Sequence, residues 1–425
     1  MMTKPIAWYV LHRYALPLLA LLACHAGGSA AADIIQVRPN SQVNTIAQAA
    51  ALARDGDTVV IAPGDYYGDV ATWTQDGLTI RAGAGGRVRV IAAGSQADGK
   101  GIWVAAGGKV TIEDIEFHGA RAPGHDGAGV RLDKGHLLIR RCSFMDNENG
   151  LIAANADSVL EIENSEFGDN GDGSGATHTL SVGSIRSLKV SGSYFHHARG
   201  GSLLISRARD NLLVSNRFTD ELGGRSGEEL AFPAGGQAWL IANIIEQSAT
   251  TTSPAIISFG AEGYAAPVNA LYLASNTIVD DRPEGGVMLQ AKPGKRQVQA
   301  YNNLLVGAGT LEGGQLQGWR ERVSGIVRNL VKRDGEPSQA RPVVEGSFVN
   351  NINVDWTSLV LPMRYDYRLT GESGLEGKFV PPPDVNGMSL VPKSEYLHPA
   401  RTRPLTANPT LPGALQTTGP ARRTP

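Results

Sequence analysis

Apolar residues recur at every second position in short phrases along most of the chain, as in Val110 and Ile112, Leu137 and Ile139, and Leu188 and Val190. That is the period of a strand, not of a helix. Successive phrases end on Phe117, Phe144, Phe167, Phe195 and Phe218, then on Ile245, Ile278, Leu305 and Val331, at spacings of 27, 23, 28, 23, 27, 33, 27 and 26 residues. Such a repeat has to be read before any other fold signal. Each unit is too short for a strand, a packed helix and their turns. Three short strands joined by turns rich in Gly, Asn, Asp and Ser fit the spacing. Stacking such units in parallel register buries like residues above like, which is an all-β parallel β-helix, a solenoid. Asn216, Asn243, Asn276, Asn303 and Asn329 each stand two positions before the terminal apolar residue of their unit. Asn tolerates the left-handed conformation, and stacked amides form hydrogen-bonded ladders.

A solenoid needs its open ends covered. Thr45 to Ala53 is Ala-rich and helix-forming, and it precedes the strand Thr58 to Ile61, so it predicts a cap on the N-terminal end. The repeat spans 33–350. Residues 351–400 lose the period and predict an irregular extension. Residues 401–425 predict a disordered Pro- and Arg-rich tail.

Glycine is abundant, 52 of 425 residues, where about 7% is usual. It fits a fold made of turns. The chain carries 39 basic and 41 acidic residues. Lys4, Arg13, Arg401, Arg403, Arg422 and Arg423 lie at the two ends, which leaves the body with 33 basic against 41 acidic. This balance excludes general nucleic-acid binding and requires a locally basic site for any anionic ligand. Residues 1–32 read as an export signal with an apolar stretch from Tyr14 to Cys24 and cleavage after Ala32, which predicts a periplasmic or secreted protein. Lipidation at Cys24 is the lesser reading. No apolar run reaches the length of a membrane span. Once the signal is removed Cys142 stands alone, in a core position of the repeat, so no intrachain disulfide is expected.

The densest polar cluster covers residues 169–236. It holds His178, His196, His197, Arg199, Ser202, Arg207, Arg209, Glu228 and Glu229. Aligning the repeats on Val190, Val214 and Ile241 places His178, Ser202 and Glu229 at equivalent positions in adjacent coils, about 4.8 Å apart. The Asp169–Gly175 loop is rich in oxygen ligands but lacks the spacing of a known calcium loop and reads as a Gly-rich turn. No Cys/His spacing suits zinc. No cofactor or metal is therefore expected.

The run from Thr45-Ile46 through Gly56-Asp57-Thr58-Val59-Val60-Ile61-Ala62-Pro63-Gly64-Asp65-Tyr66 resembles the opening of right-handed parallel β-helix proteins of the pectin-lyase-like superfamily. The resemblance implies the hand of the coil. It does not fix an activity, because that superfamily includes lyases, hydrolases, epimerases and non-enzymes. Within it, the 178–236 stretch is similar to a bacterial exported group of unsettled activity. His178, His196, His197, Arg199, Gly201, Ser206, Arg207, Glu229, Pro233, Gly235 and Gly236 are kept. Ser202, Ile205 and Ala231 stand where the pattern has His, Lys and Asp.

Two functions follow as expectations. One is action on an acidic polysaccharide by β-elimination. Arg199 or Arg207 would neutralise a uronate carboxylate, His197 or His178 would take the adjacent proton, and Glu229 would orient a histidine or a sugar hydroxyl. His196, Ser202, Arg209 and Glu228 would contact substrate. The other is a non-catalytic, carbohydrate-binding or structural β-helix, which the departures at Ser202, Ile205 and Ala231 favour. A monomer is expected in either case.

Overall fold

The computed structural model describes residues 32–251, 253–311 and 346–420. The expected export signal, Cys24, Asn329 and Val331 lie outside the described residues. Three parallel sheets of 12, 11 and 9 strands wind around one core. In a representative coil the chain passes through Lys109–Glu113 in the first sheet, Ile115–His118 in the second and Ala128–Leu132 in the third. It then enters the first sheet again at His136–Arg140. The expected parallel β-helix is thus observed.

Stacking like on like builds the core. Phe117, Phe144, Phe167, Phe195 and Phe218 pair in register through the second sheet and are fully buried. Their rings stack at centroid distances of 5.1, 4.5, 4.6 and 4.8 Å. Ile245, Ile278 and Leu305 continue the column. Each buried Phe contributes about 1.5–3 kcal/mol of transfer free energy, with a smaller term from stacking.

The turn from first to second sheet is nearly invariant. From the third coil on, one residue per coil takes a left-handed conformation: Asp114, Arg141, Asn164, Gly192, Ser215, Ala242, Ser275, Asn302 and Asn350, with φ from 48 to 60°. Only one of these is glycine. The ladder asparagine is the residue after it, so the expected amide ladder forms without the asparagines themselves being left-handed. Asn216, Asn243 and Asn276 each donate through Nδ2 to the next Oδ1, at 3.0, 3.1 and 2.9 Å. Asn303 donates to Asn351 at 2.7 Å, which closes the ladder. Ser165 and Ser193 extend it toward the N terminus.

The helix Ile46–Leu52 starts at a Thr45/Gln48 capping box. Asp69 accepts from the backbone N–H of Ile46 and Ala47 at 2.7 and 2.9 Å, satisfying two donors that a helix start leaves free. Ile46 and Ala49 join the core, so the helix caps the first coil as expected. No described helix is long and apolar enough to cross a membrane.

The C-terminal region departs from expectation. Ser347–Val349 and Ile352–Val354 add last strands to the first and second sheets. The chain then retraces the solenoid. Lys378 O accepts from Asn350, Val380 exchanges two hydrogen bonds with Asn302, and Ser394 O accepts from Ser215. A hairpin, Ser394–Leu397 with Arg401–Pro404, follows. Residues 401–420 are therefore not the disordered tail that composition predicted. Leu411 and Ala414 are buried, and the Ala414 N–H donates to Thr277. The reason is a surface that needs cover. Late in the solenoid the outer faces turn apolar, with Trp239, Tyr272 and Tyr301 on the first sheet and Tyr194, Ile244, Val279 and Val306 on the second. Leu390 packs on the first group and Leu359, Tyr367, Leu369 and Tyr396 on the second. Among the described residues these contacts do not reach the outer face of the third sheet, where Ile152, Ser181 and Ile205 are half-buried and Ala231 and Ser258 are buried.

Candidate functional site

Register orders the third face. Leu151, Leu180, Leu204, Leu230 and Ile257 form one inward column. The residue after each, Ile152, Ser181, Ile205, Ala231 and Ser258, belongs to the outward column. Two residues before the same Leu column stand His178, Ser202 and Glu228. Glu229 was expected there. The error has a physical source: an offset measured in the first sheet does not carry across loops of different length. Even in that sheet, Val190 pairs with Leu213 and Leu240 rather than with Val214 and Ile241.

His178, Ser202 and Glu228 form a connected chain at the entrance of the face. The Ser202 N–H donates to His178 Nδ1 at 2.9 Å. A backbone N–H can only donate, so Nδ1 is the acceptor and the ring proton sits on Nε2. Burial, helped by the charge of Arg207, pushes His178 down to about 4, so the ring is neutral. Gly201 makes the approach possible: its φ is +71° and a Cβ there would meet His178 Nδ1 at 2.9 Å. Ser202 Oγ lies 3.4 Å from Glu228 Oε2, and burial raises the Glu228 carboxyl above its usual range.

Arg207 follows the strand Leu204–Ser206 and grips Glu262 through Nε and Nη2 at 2.9 and 2.6 Å. This two-pronged geometry is the one a uronate carboxylate would take. Glu262 lies 55 residues away in the loop between the strands Ala255–Phe259 and Ala270–Ala274, which does not recur from coil to coil, so no sequence signal pointed to it. Arg209 stands further along, exposed, beside Asp210.

The remaining predicted residues lie elsewhere. His196 is on the outer side of the second sheet, with Nε2 3.2 Å from Glu166, Nδ1 2.8 Å from His197 Nδ1, and its ring stacked on Tyr194. His398 of the C-terminal hairpin meets Tyr194 edge-on, so this group is part of the docking seam of the extension. Arg199 is paired with Asp146 and Asp169 in the loops between the second and third sheets. Burial alone would raise Asp146, but Arg199 and Arg121 hold it below the usual range. Glu229 is fully buried. Its Oε1 accepts from Ser226 at 2.7 Å and its Oε2 has no hydrogen-bond partner. Burial and the nearby Asp220 carboxyl raise it well above the carboxylate range. In the Gly-rich loop, Asp172 Oδ1 accepts from Ser174 N–H, Ser174 Oγ and Thr177 Oγ1, and Oδ2 meets His125. Cys142 is buried, and burial pushes its thiol up to about 12.

Three stacked parallel sheets with a laddered turn and one open face define a right-handed parallel β-helix of the pectin-lyase-like fold. The family described as right handed beta helix region matches residues 40–219. Among solved structures, the crystal structure of pectate lyase Pel9A is similar, with a TM-score of 0.57 and 14% sequence identity, over 86% of this chain and 96% of that one. No curated protein matches the sequence.

Proposed function

We propose that the protein takes an acidic polysaccharide along the open face of its third sheet and cleaves it by β-elimination. The observation that carries this reading is the cover of the other two faces by the C-terminal extension, with His178 and Glu228 before, and Arg207 after, the strands of the face that the extension does not reach. The fold likeness to a pectate lyase supports the substrate class. Arg207 would exchange Glu262 for the uronate carboxylate and so acidify the neighbouring C–H. Glu228 would remove that proton, since its burial gives a stronger base than a solvated carboxylate. His178 would donate a hydrogen bond from Nε2 to the glycosidic oxygen, which departs as its C–O bond breaks and takes its proton from water, leaving the unsaturated uronate. Its Nδ1 already accepts a backbone N–H, which argues against the role of base.

A second reading, recognition without cleavage, is favoured by Ile205 and Ala231. Both belong to the outward column of this face and bring no ionisable group to it. Incubation with a panel of acidic polysaccharides separates the two. Absorbance of unsaturated uronate products that disappears in Glu228→Gln supports elimination. Binding with no such absorbance in the wild type supports recognition alone, and neither signal across the panel rejects both.

A further inference from the structure

The structure also carries a concave surface away from the third face. A cleft of about 850 Å³ lies on the opposite edge, over the turns from the first to the second sheet. Its volume is typical of a small-ligand site. One wall is an insertion. Five residues, 83–87, link Leu78–Ala82 to Val88–Ile91, where the next coil needs Asp114 alone. The facing wall is the bend of the C-terminal hairpin at Pro399–Thr402. The cleft is thus assembled from parts some 300 residues apart in sequence.

Both walls carry arginine. Arg81 and Arg401 are exposed and make no ion pair among the described residues. Arg87 reaches Glu116 only at 3.5 Å, with its side chain 74% exposed. A third arginine of the lining, Arg141, is by contrast gripped closely by Asp114 at 2.8 Å. Between them the lining offers Ser143, Asn164 and the carboxylates Asp114, Glu116 and Glu166, groups that hydrogen-bond hydroxyls. Cations on the walls with acceptors between them do not suit a densely charged polyanion, which these carboxylates would repel. They suit a ligand with one anionic group per several hydroxyls. We propose that this cleft is a second, separate binding site for a carboxylate-bearing sugar, with Arg81 and Arg401 clasping the carboxylate from opposite walls. It stands whether or not the third face cleaves.

Hydrogen exchange of the full chain with trigalacturonate tests it. Protection is expected in peptides covering 83–87 and 399–402, retained in Arg207→Gln and lost in Arg81→Glu and Arg401→Glu, each weakening this site at least about tenfold, or about 1.4 kcal/mol. Salt near 1 M, where the screening length is about 3 Å, should also abolish it. Protection confined to third-face peptides overturns the cleft and leaves the proposed function standing. Equal protection by a neutral trisaccharide overturns the anionic class. Protection that survives both charge reversals overturns the assignment of the arginines.

Discussion

Arg207 and Glu262 show how one residue pair sets the state of a surface. Their two short hydrogen bonds occupy the guanidinium that a uronate would need. Glu262→Gln removes the competing charge and should tighten binding of an acidic oligosaccharide by about threefold to tenfold, given 1.5–3 kcal/mol for charged hydrogen bonds less solvent screening. Titration calorimetry reads this directly, and unchanged affinity would place the carboxylate elsewhere. Buried acids give a second prediction. Glu246 is fully buried, one of its oxygens has no hydrogen-bond partner, and burial raises its pKa to about 8. The folded state therefore holds a proton that the unfolded chain releases above about 4.5. Stability should fall as pH rises from about 4.5 to about 8, and level off beyond. Glu246→Gln should flatten its share of that slope, by an amount on the order of a few kcal/mol. Denaturant midpoints across this window decide it.

Elements rather than single contacts keep the coils in register. Asn276 Oδ1 accepts from both nitrogens of Asn243, while its Nδ2 reaches Leu240 O and Asn303 Oδ1. Asn276→Ala would strand several buried polar groups and should cost about 3 kcal/mol. Asn276→Ser should recover part of it, since Ser165 and Ser193 already serve earlier rungs. Urea titration of the two variants measures the difference. The ladder and the aromatic column were legible because both repeat at one phase in the sequence. The left-handed residue was not, because Asp, Arg, Asn, Gly, Ser and Ala all occupy it. Geometry is imposed there by the rungs above and below, so local preference leaves little trace. The Glu228/Glu229 ambiguity is of the same kind. One residue of loop length decides which acid meets Ser202 and which is sealed beside Asp220.

For the whole molecule, the solenoid was readable and its cover was not. The extension has no period and is rich in proline, the composition of a loose segment. Its order comes from what it lies on, Trp239, Tyr272 and Tyr301 on one sheet and Tyr194 and Ile244 on the next. Solenoid stability is mostly a sum over neighbouring coils. A ribbon bonded to Asn350, Asn302 and Ser215 adds links that skip coils. Deleting residues 378–425 should expose the apolar faces and broaden the unfolding transition, with a lower denaturant slope as coils unfold separately. An unchanged single transition would show that the ribbon only shields.

The direction of that ribbon bears on how the molecule is made. Coils can zip up one upon another as synthesis proceeds from the N terminus. The segment that fastens their edge emerges after them, and the bend at Arg401 and Thr402 must travel back past finished coils to reach the cleft beside Arg81. Until then the late coils present bare aromatic faces to their surroundings. The chain thus has a vulnerable interval that closes only when the extension arrives, and shielding during that interval will govern yield more than the stability of any one rung.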